Sequence, residues 1–375
     1  MIHFESDYLE GCAPQILDAL RLTNLEQTLG YGEDSHCEKA AEMIRFVFDC
    51  PDAAVHFLVG GTQTNATVID ALLRPHQGVL CAESGHINVH ETGAVEHGGH
   101  KVLALPAPQG KITADQVRKA LEAHHSDFSR EHMAQPGMVY ISFPTELGTI
   151  YTKQELSDLH EVCKAWELPL FIDGARLGYG LEASGCNLLP KDIARLCDVF
   201  YVGGTKQGAL FGEAVVFTDP GLAEDFRYLI KQHGGMLAKG RLLGIQFETL
   251  MNEGLYFSLA RRADRLADRL RAAFNSKGIP FLVENTTNQV FPILENKCLE
   301  PLSAEFGFEC WQTVDETHTA VRFCTGWATT DSAIDALTAF IQYQLYPLLT
   351  HTHNETEEIH PAGNRDSHPM VQHPG

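Results

Sequence analysis

The chain has 375 residues, of which 44% are apolar and 21% charged, and 28 Lys and Arg stand against 49 Asp and Glu for a formal net charge of −21. A chain of this length buries a large core, and its composition is that of an ordinary globular protein. The negative balance argues against unaided binding to nucleic acid or to an anionic membrane surface. Residues 1–7 lack the basic and apolar regions of a secretory leader, and no apolar run is long enough to span a bilayer. Ten scattered cysteines without a CxxC pair read as buried, reduced thiols. A cytoplasmic protein is expected.

In chain order, short apolar runs alternate with longer segments of helical period. Residues 55–59 predict a strand, 63–73 a helix, and 79–82 and 101–105 two short strands. Residues 113–123 and 153–166 have helical spacing, each with a Thr placed as N-cap, and 137–143 between them predicts a buried strand. Strands at 169–173, 199–203 and 213–218 complete the series. Such alternation implies an α/β layered domain around a mostly parallel sheet. From about residue 242 the pattern changes to a long charged amphipathic helix over 253–276. Strand-like pieces follow at 281–284, 290–294 and 320–324, then a closing helix over 331–345. The expected division is an N-terminal arm (1–20), a large ligand-binding domain (21–245), a smaller α+β domain (246–349) and a tail (350–375). From residue 351 the tail carries five histidines and three prolines without apolar periodicity. Disorder is expected there, with a metal-binding tract as the lesser alternative.

An acidic residue closing one buried strand and a lysine closing another both project into the crevice at the carboxyl ends of a parallel sheet, where open α/β folds bind ligands. Phe171-Ile-Asp-Gly-Ala-Arg176 and Val202-Gly-Gly-Thr-Lys-Gln-Gly208 supply such a pair. Pyridoxal 5'-phosphate (PLP) needs it: a carboxylate keeps the pyridine nitrogen protonated, and a lysine forms the resting Schiff base. Asp173 and Lys206 take these roles, Gly203 and Gly204 allow close backbone approach to the cofactor, and Thr205 reaches its phosphate. Val59-Gly-Gly-Thr-Gln-Thr-Asn65 joins a strand to a helix, and free N–H groups at a helix N-terminus form an anion site. Gly61, Thr62 and Gln63 are therefore assigned to the phosphate. Each motif has a bland reading alone, since Asp-Gly is a turn dipeptide and Gly-Gly-Thr-Lys fits a surface loop. Their ordered combination at strand ends favours the cofactor, while the P-loop order and the GxGxxG fingerprint are both missing.

With Ser6-Asp7, Tyr31-Gly-Glu-Asp34, Gly85-His86 and Val321-Arg322-Phe323 added to these segments, the chain resembles the threonine aldolase and β-eliminating lyase family of fold-type-I PLP enzymes across roughly residues 3–345. The resemblance implies a fold-type-I transferase-like α/β fold, PLP as cofactor and a homo-oligomer, dimer or tetramer, in which Tyr31 reaches the neighbouring subunit's site. It implies that His86 stacks on the pyridine face. It also implies that Arg176 and Arg322, with Ser6, hold the substrate α-carboxylate through guanidinium forks, Arg176 belonging to the cofactor set as well. Lys231, Lys239 and Arg241 are further candidates for phosphate contacts across the interface. Alone, His86 reads as a structural histidine before a helix, and Arg322 as half of a surface ion pair. His86 and His90 are spaced i,i+4, but Ile87 stands where the zinc-protease pattern needs Glu, and no metal is expected.

One departure bears on the chemistry. Many family members carry a histidine in the loop after the strand at 138–143, whereas Phe143-Pro-Thr-Glu-Leu-Gly148 places Glu146 there. The expected catalytic set is Lys206, His86 and Glu146, with Glu146, His86 or an ordered water as the base. The implied reaction is retro-aldol cleavage of an L-threonine- or L-allo-threonine-like β-hydroxy-α-amino acid to glycine and an aldehyde. β-Elimination or transamination on the same scaffold is the nearest alternative. A non-catalytic PLP-binding or interaction protein is the alternative of another class.

Overall fold

In the computed structural model, which describes residues 1–345, a two-residue strand β1 (Ile2–His3) precedes a seven-stranded central sheet. Its strands are β2 (Ala54–Leu58), β3 (Gln77–Ala82), β4 (Lys101–Leu105), β5 (Gln135–Ser142), β6 (Leu170–Asp173), β7 (Val199–Gly203) and β8 (Glu213–Phe217). They lie in the order β2-β8-β7-β6-β5-β3-β4. All pairings from β7 across to β4 are parallel, and β8 runs antiparallel to both of its neighbours. A buried strand carries the same apolar run in either direction, so nothing in the sequence marks this reversal. The connection over residues 204–212 decides it, being too short for the crossover that a parallel return needs. The His-rich tail, 350–375, lies outside the described residues.

β6, β7 and β8 are buried at every position, which is why they read as unbroken apolar runs. Alternate residues serve opposite layers. Ile172, Phe200 and Val202 pack with Ile141, Leu156 and Leu159 on one face, while Phe171, Tyr201 and Val215 pack with Val68, Ile69 and Phe226 on the other. Full burial of each such side chain contributes about 1.5–3 kcal/mol. A one-residue slip would turn each set into the opposite layer, where its volumes do not match, so register is held from both faces.

The expected helix starts are present. Thr113 caps Ala114–Ser126 and Thr152 caps Lys153–Ala165, each completing a capping box with Gln116 or Glu155. Helices Pro14–Thr23 and Ser35–Phe48, absent from the sequence reading, pack against helix Arg241–Met251. The first has a thin apolar stripe, with Ile16 its buried residue.

The C-terminal part has its own apolar cluster. Leu266, Leu270 and Phe274 of helix Leu255–Asn275 meet Phe4, Val321, Phe323 and Ile334 there. Its strands are β9 (Gln289–Val290), β10 (Ile293–Glu295), β11 (Phe306–Gly307), β12 (Glu309–Thr313) and β13 (His318–Cys324), with β13 antiparallel to β9, β10 and β12. Residues 281–284 are not a strand, since Phe281 makes an isolated bridge to Pro292. The run 290–294 divides at Pro292, which has no N–H to give a ladder. The closing helix is regular over Asp331–Phe340 and widens to a π-turn at Ile341–Leu345. β1 pairs parallel with β11, and Cys324 N donates to Phe4 O at 2.7 Å. This pairing anchors the chain start so that Ser6 and Asp7 meet the ends of the large sheet.

Candidate active site

Asp173 closes β6 and Lys206 follows the end of the adjacent parallel strand β7. Gly203 N donates to Gly174 O at 3.0 Å, and a Cβ on Gly203 would lie 2.6 Å from the carbonyl oxygens of Gly174 and Ala175. A Cβ on Gly204 would lie 2.8 Å from Gly212 O. These glycines are thus needed where one turn packs on another, a use different from the expected approach to a cofactor. The close packing is what brings the Asp173 and Lys206 turns together.

Asp173 is buried and accepts from Tyr201 Oη, Tyr140 Oη (2.5 Å), Asn65 Nδ2 (3.0 Å) and Ala175 N (3.0 Å). Burial alone would raise its pKa, but the neighbouring His86 and the two tyrosine hydroxyls prevail and hold it below the ordinary carboxylate value. Asp173 is therefore ionised. Asn65 Nδ2 also donates to Glu91 Oε1 at 2.8 Å, and His86 Nδ1 lies 2.8 Å from the same oxygen.

Lys206, His86, Glu146, Arg176, Arg322 and Ser6 line one cavity of about 560 Å³, with Tyr8 and Trp311 at its wall. Burial, and then the charge of Arg176, push the Lys206 ammonium pKa down. Arg176 is itself held by Asp7, with Nε to Oδ2 at 2.6 Å and Nη2 to Oδ1 at 3.0 Å. Asp7 thus fills the Nε–Nη2 edge of that guanidinium, so a fork on a substrate carboxylate would have to use Nη1 instead. Burial would raise the Asp7 carboxyl, yet Arg176 and Lys206 keep it below its usual range. Arg322 pairs with Glu309, donates to Gln289 Oε1 and Glu5 O (3.2 Å each), and lies 4.9 Å from the Trp311 ring centre. Among the described residues, Arg322 Nε and Ser6 Oγ are buried without a hydrogen-bond partner. Two orphaned polar atoms on residues that line one cavity suit an anionic ligand group there.

At the other end of the site, helix Gly61–Leu72 begins after Gly60 without a side-chain cap. Thr64 N bonds Gly60 O at 3.0 Å, leaving the N–H groups of Gly61, Thr62 and Gln63 as the orphan donors of the first turn. The Gln63 side chain is committed elsewhere, accepting from Val59 N at 3.2 Å and donating to His233 O at 2.9 Å, so it can serve an anion through its backbone alone. The phosphate role of Thr205 needs a similar correction. Its hydroxyl donates to Glu213 Oε1 (2.8 Å) and accepts from Gly212 N (3.1 Å). Glu213 Oε2 accepts from Gly204 N at 3.1 Å, and burial pushes this carboxyl up to about 8.

Glu146 is buried, and its Oε1 accepts from His86 N (2.8 Å) and Ser142 Oγ (2.6 Å). Burial raises its pKa, and the Asp173 charge adds to the effect. Tyr31 does not line its own chain's cavity. The residue is 46% exposed, with Lys231 Nζ 4.8 Å from its ring centre. Arg241 is engaged with Thr23 O (2.6 Å) and Glu26 O (2.9 Å), while Lys239 precedes its helix. Sequence reasoning missed Asn65, Glu91, Glu213, Tyr140 and Tyr201. Asn65 ends the glycine-turn motif and was within reach of it; the others carry no local signal.

The family model described as "Beta-eliminating lyase" matches residues 3–297. The chain belongs to the beta-eliminating lyase family. Its relatives include the low specificity L-threonine aldolase of a Pseudomonas species, 30% identical over 342 residues that cover 90% of this chain and 96% of the relative. That of Pseudomonas aeruginosa is 31% identical, covering 87% of this chain and 93% of its own. The solved threonine aldolase of Leishmania major superposes with a TM-score of 0.89 at 43% identity, covering 91% of this chain and 99% of that one. Aspartate aminotransferase of Thermus thermophilus, at 15% identity and a TM-score of 0.68, shares the fold-type-I architecture. This beta-eliminating lyase family member is a PLP-dependent lyase. Its residues fit the cofactor: an ionised Asp173 for the ring nitrogen, an amine of lowered pKa at Lys206, and three orphan N–H groups for the phosphate.

Proposed function

We propose that the enzyme cleaves L-threonine and L-allo-threonine to glycine and acetaldehyde. The observation that carries this reading is Glu146, a buried carboxyl on the wall of the Lys206 cavity, in line with the aldolase relatives. PLP, when bound, withdraws the electrons of the bond broken at the substrate Cα. Asp173 would hold the proton on the ring nitrogen, and His86 would cover the ring face. Ser6 Oγ and the Arg322 guanidinium bind the α-carboxylate, an orientation that leaves the β-hydroxyl toward Glu146. Oε1 of Glu146 is occupied by His86 N and Ser142, so Oε2 takes the hydroxyl proton as the Cα–Cβ bond opens. Lys206, its ammonium disfavoured by burial, supplies the neutral amine that releases glycine. Incubation of the PLP-loaded protein with each threonine isomer should yield glycine and acetaldehyde in equal amounts. Ammonia with a keto acid would reassign the reaction to elimination.

Glu146→Gln is expected to lower kcat about 10²- to 10³-fold while the cofactor's visible band stays intact. Because the Glu146 pKa is raised, its basic form accumulates only above that raised value, and wild-type kcat should fall on the acid side. The variant's kcat should lose that acid limb, which a pH–rate series would check.

We also propose a homo-oligomer. Leu22 (75% exposed), Leu25 (91%), Leu29 (70%) and Phe46 (87%) stand open to water on the segment that carries Tyr31. A second copy covering this segment would carry Tyr31 to the neighbouring cavity. Leu25→Asp with Leu29→Asp should give monomers of 41.4 kDa by light scattering, with activity lost in parallel. A cytoplasmic location accords with ten unpaired cysteines, and no described helix is long and apolar enough to cross a membrane.

A further inference from the structure

Glu91 follows the short helix His86–Val89, its side chain fully buried, and has no part in the steps above. One of its oxygens, Oε1, lies 2.8 Å from both His86 Nδ1 and Asn65 Nδ2. The same amide nitrogen gives its other hydrogen to Asp173 Oδ2 at 3.0 Å, with Tyr140 Oη a more distant 3.5 Å. Acceptors on two sides fix the Asn65 amide, because the flipped group would aim a carbonyl oxygen at two carboxylate oxygens. The chosen orientation leaves Asn65 Oδ1 buried without a partner among the described residues, and Glu91 Oε2 likewise.

We infer that Glu91 is a positioning residue for the proposed aldol reaction: it fixes His86 with hydrogen on Nδ1 and a bare Nε2, and through Asn65 it ties the imidazole to Asp173. The inference rests on the PLP-aldolase reading. The His86 imidazole and the Asp173 carboxylate thereby belong to one hydrogen-bonded line through Glu91 and Asn65. Groups that would hold the cofactor ring at its face and at its nitrogen could then not move independently. A carboxylate placed behind a histidine sets tautomer and plane in the same way in hydrolase triads.

Two measurements test this. In the PLP-loaded wild-type protein, labelled with 15N-histidine and assigned by the signal lost in His86→Asn, His86 should show the Nδ1–H tautomer. The Nε2–H tautomer, an even mixture or an imidazolium protonated on both nitrogens overturns the inference. Glu91→Gln keeps an acceptor oxygen but not the charge, and lets either amide end face Nδ1. It should retain the visible PLP band and a KM for L-threonine within about threefold, lose about 10²-fold in kcat, and show mixed His86 tautomers. A kcat within about threefold of wild type at full PLP loading overturns it as well. If Glu91→Gln does not fold, the wild-type spectrum still decides. Failure of the wild type to release glycine and acetaldehyde would remove the aldolase reading while leaving the tautomer measurement intact.

Discussion

Lys206→Ala should reduce aldol cleavage by about 10⁴-fold or more, and abolish both the visible absorbance of the PLP-loaded protein and its borohydride-reducible link to the cofactor. The size of the effect follows from the role, since among the described residues no other side chain lining this cavity offers an amine: its remaining nitrogen-bearing groups are the guanidiniums of Arg176 and Arg322 and the imidazoles of His86 and His90. Lys206→Arg should fail as completely, because a guanidinium does not lose its proton in the working pH range. The fold should survive the alanine change. The Asp7–Arg176 fork does not pass through Lys206, and circular dichroism melts should move by a few degrees at most. Absorbance of wild type and variant side by side, with glycine and acetaldehyde quantified, checks both halves. A variant that kept its visible band would overturn the assignment of the lysine.

Asp173→Asn should cost about 10³-fold in kcat and weaken PLP retention. An amide cannot keep the ring nitrogen protonated. It also cannot accept from two tyrosine hydroxyls, Asn65 and Ala175 at once, so one buried donor at least loses its partner. The stability consequence has a definite sign. The folded-state pKa of Asp173 lies below its ordinary 3.8, so its ionised form contributes stability that is present above 3.8 and disappears as pH falls through the folded value. Wild type should be the more stable protein near neutrality, and the gap between the two unfolding midpoints should narrow below about pH 4. Denaturant unfolding at two pH values checks the sign separately from catalysis.

Parts of the site were legible because they sit at strand ends in short contiguous motifs. Asp173-Gly-Ala-Arg176 and Gly203-Gly-Thr-Lys206 each combine a buried strand with the residue that follows it, and the alternation of strands and helices places such residues on one edge of the sheet. The first-turn N–H groups at Gly61–Gln63 follow from the glycine turn itself. Glu91 and Glu213 were not legible. Each is an isolated acid in its segment, and a buried carboxylate has the same sequence appearance as a solvated one.

The occupancy of polar groups was equally hidden. Arg176 and Thr205 are residue types suited to anions, yet Asp7, 169 positions away, and Glu213 claim them. Which donor meets which acceptor depends on distances that spacing along the chain does not encode. The same holds for β8, whose direction was set by the length of its connection, and for the run 281–284, which has strand composition but lacks a full partner.

By itself the sequence determined the α/β alternation, the place of Asp173 and Lys206 at the ends of two strands, and the resemblance that the family comparison bears out. These are properties of local period, strand-end chemistry and motif order. The tertiary structure alone decided that Asp7 holds Arg176, that Glu213 holds Thr205, and that Asn65 joins Glu91 to Asp173. The physical reason is that buried polar groups must find partners, and those partners come from whichever strand or turn the packed sheet places within about 3 Å.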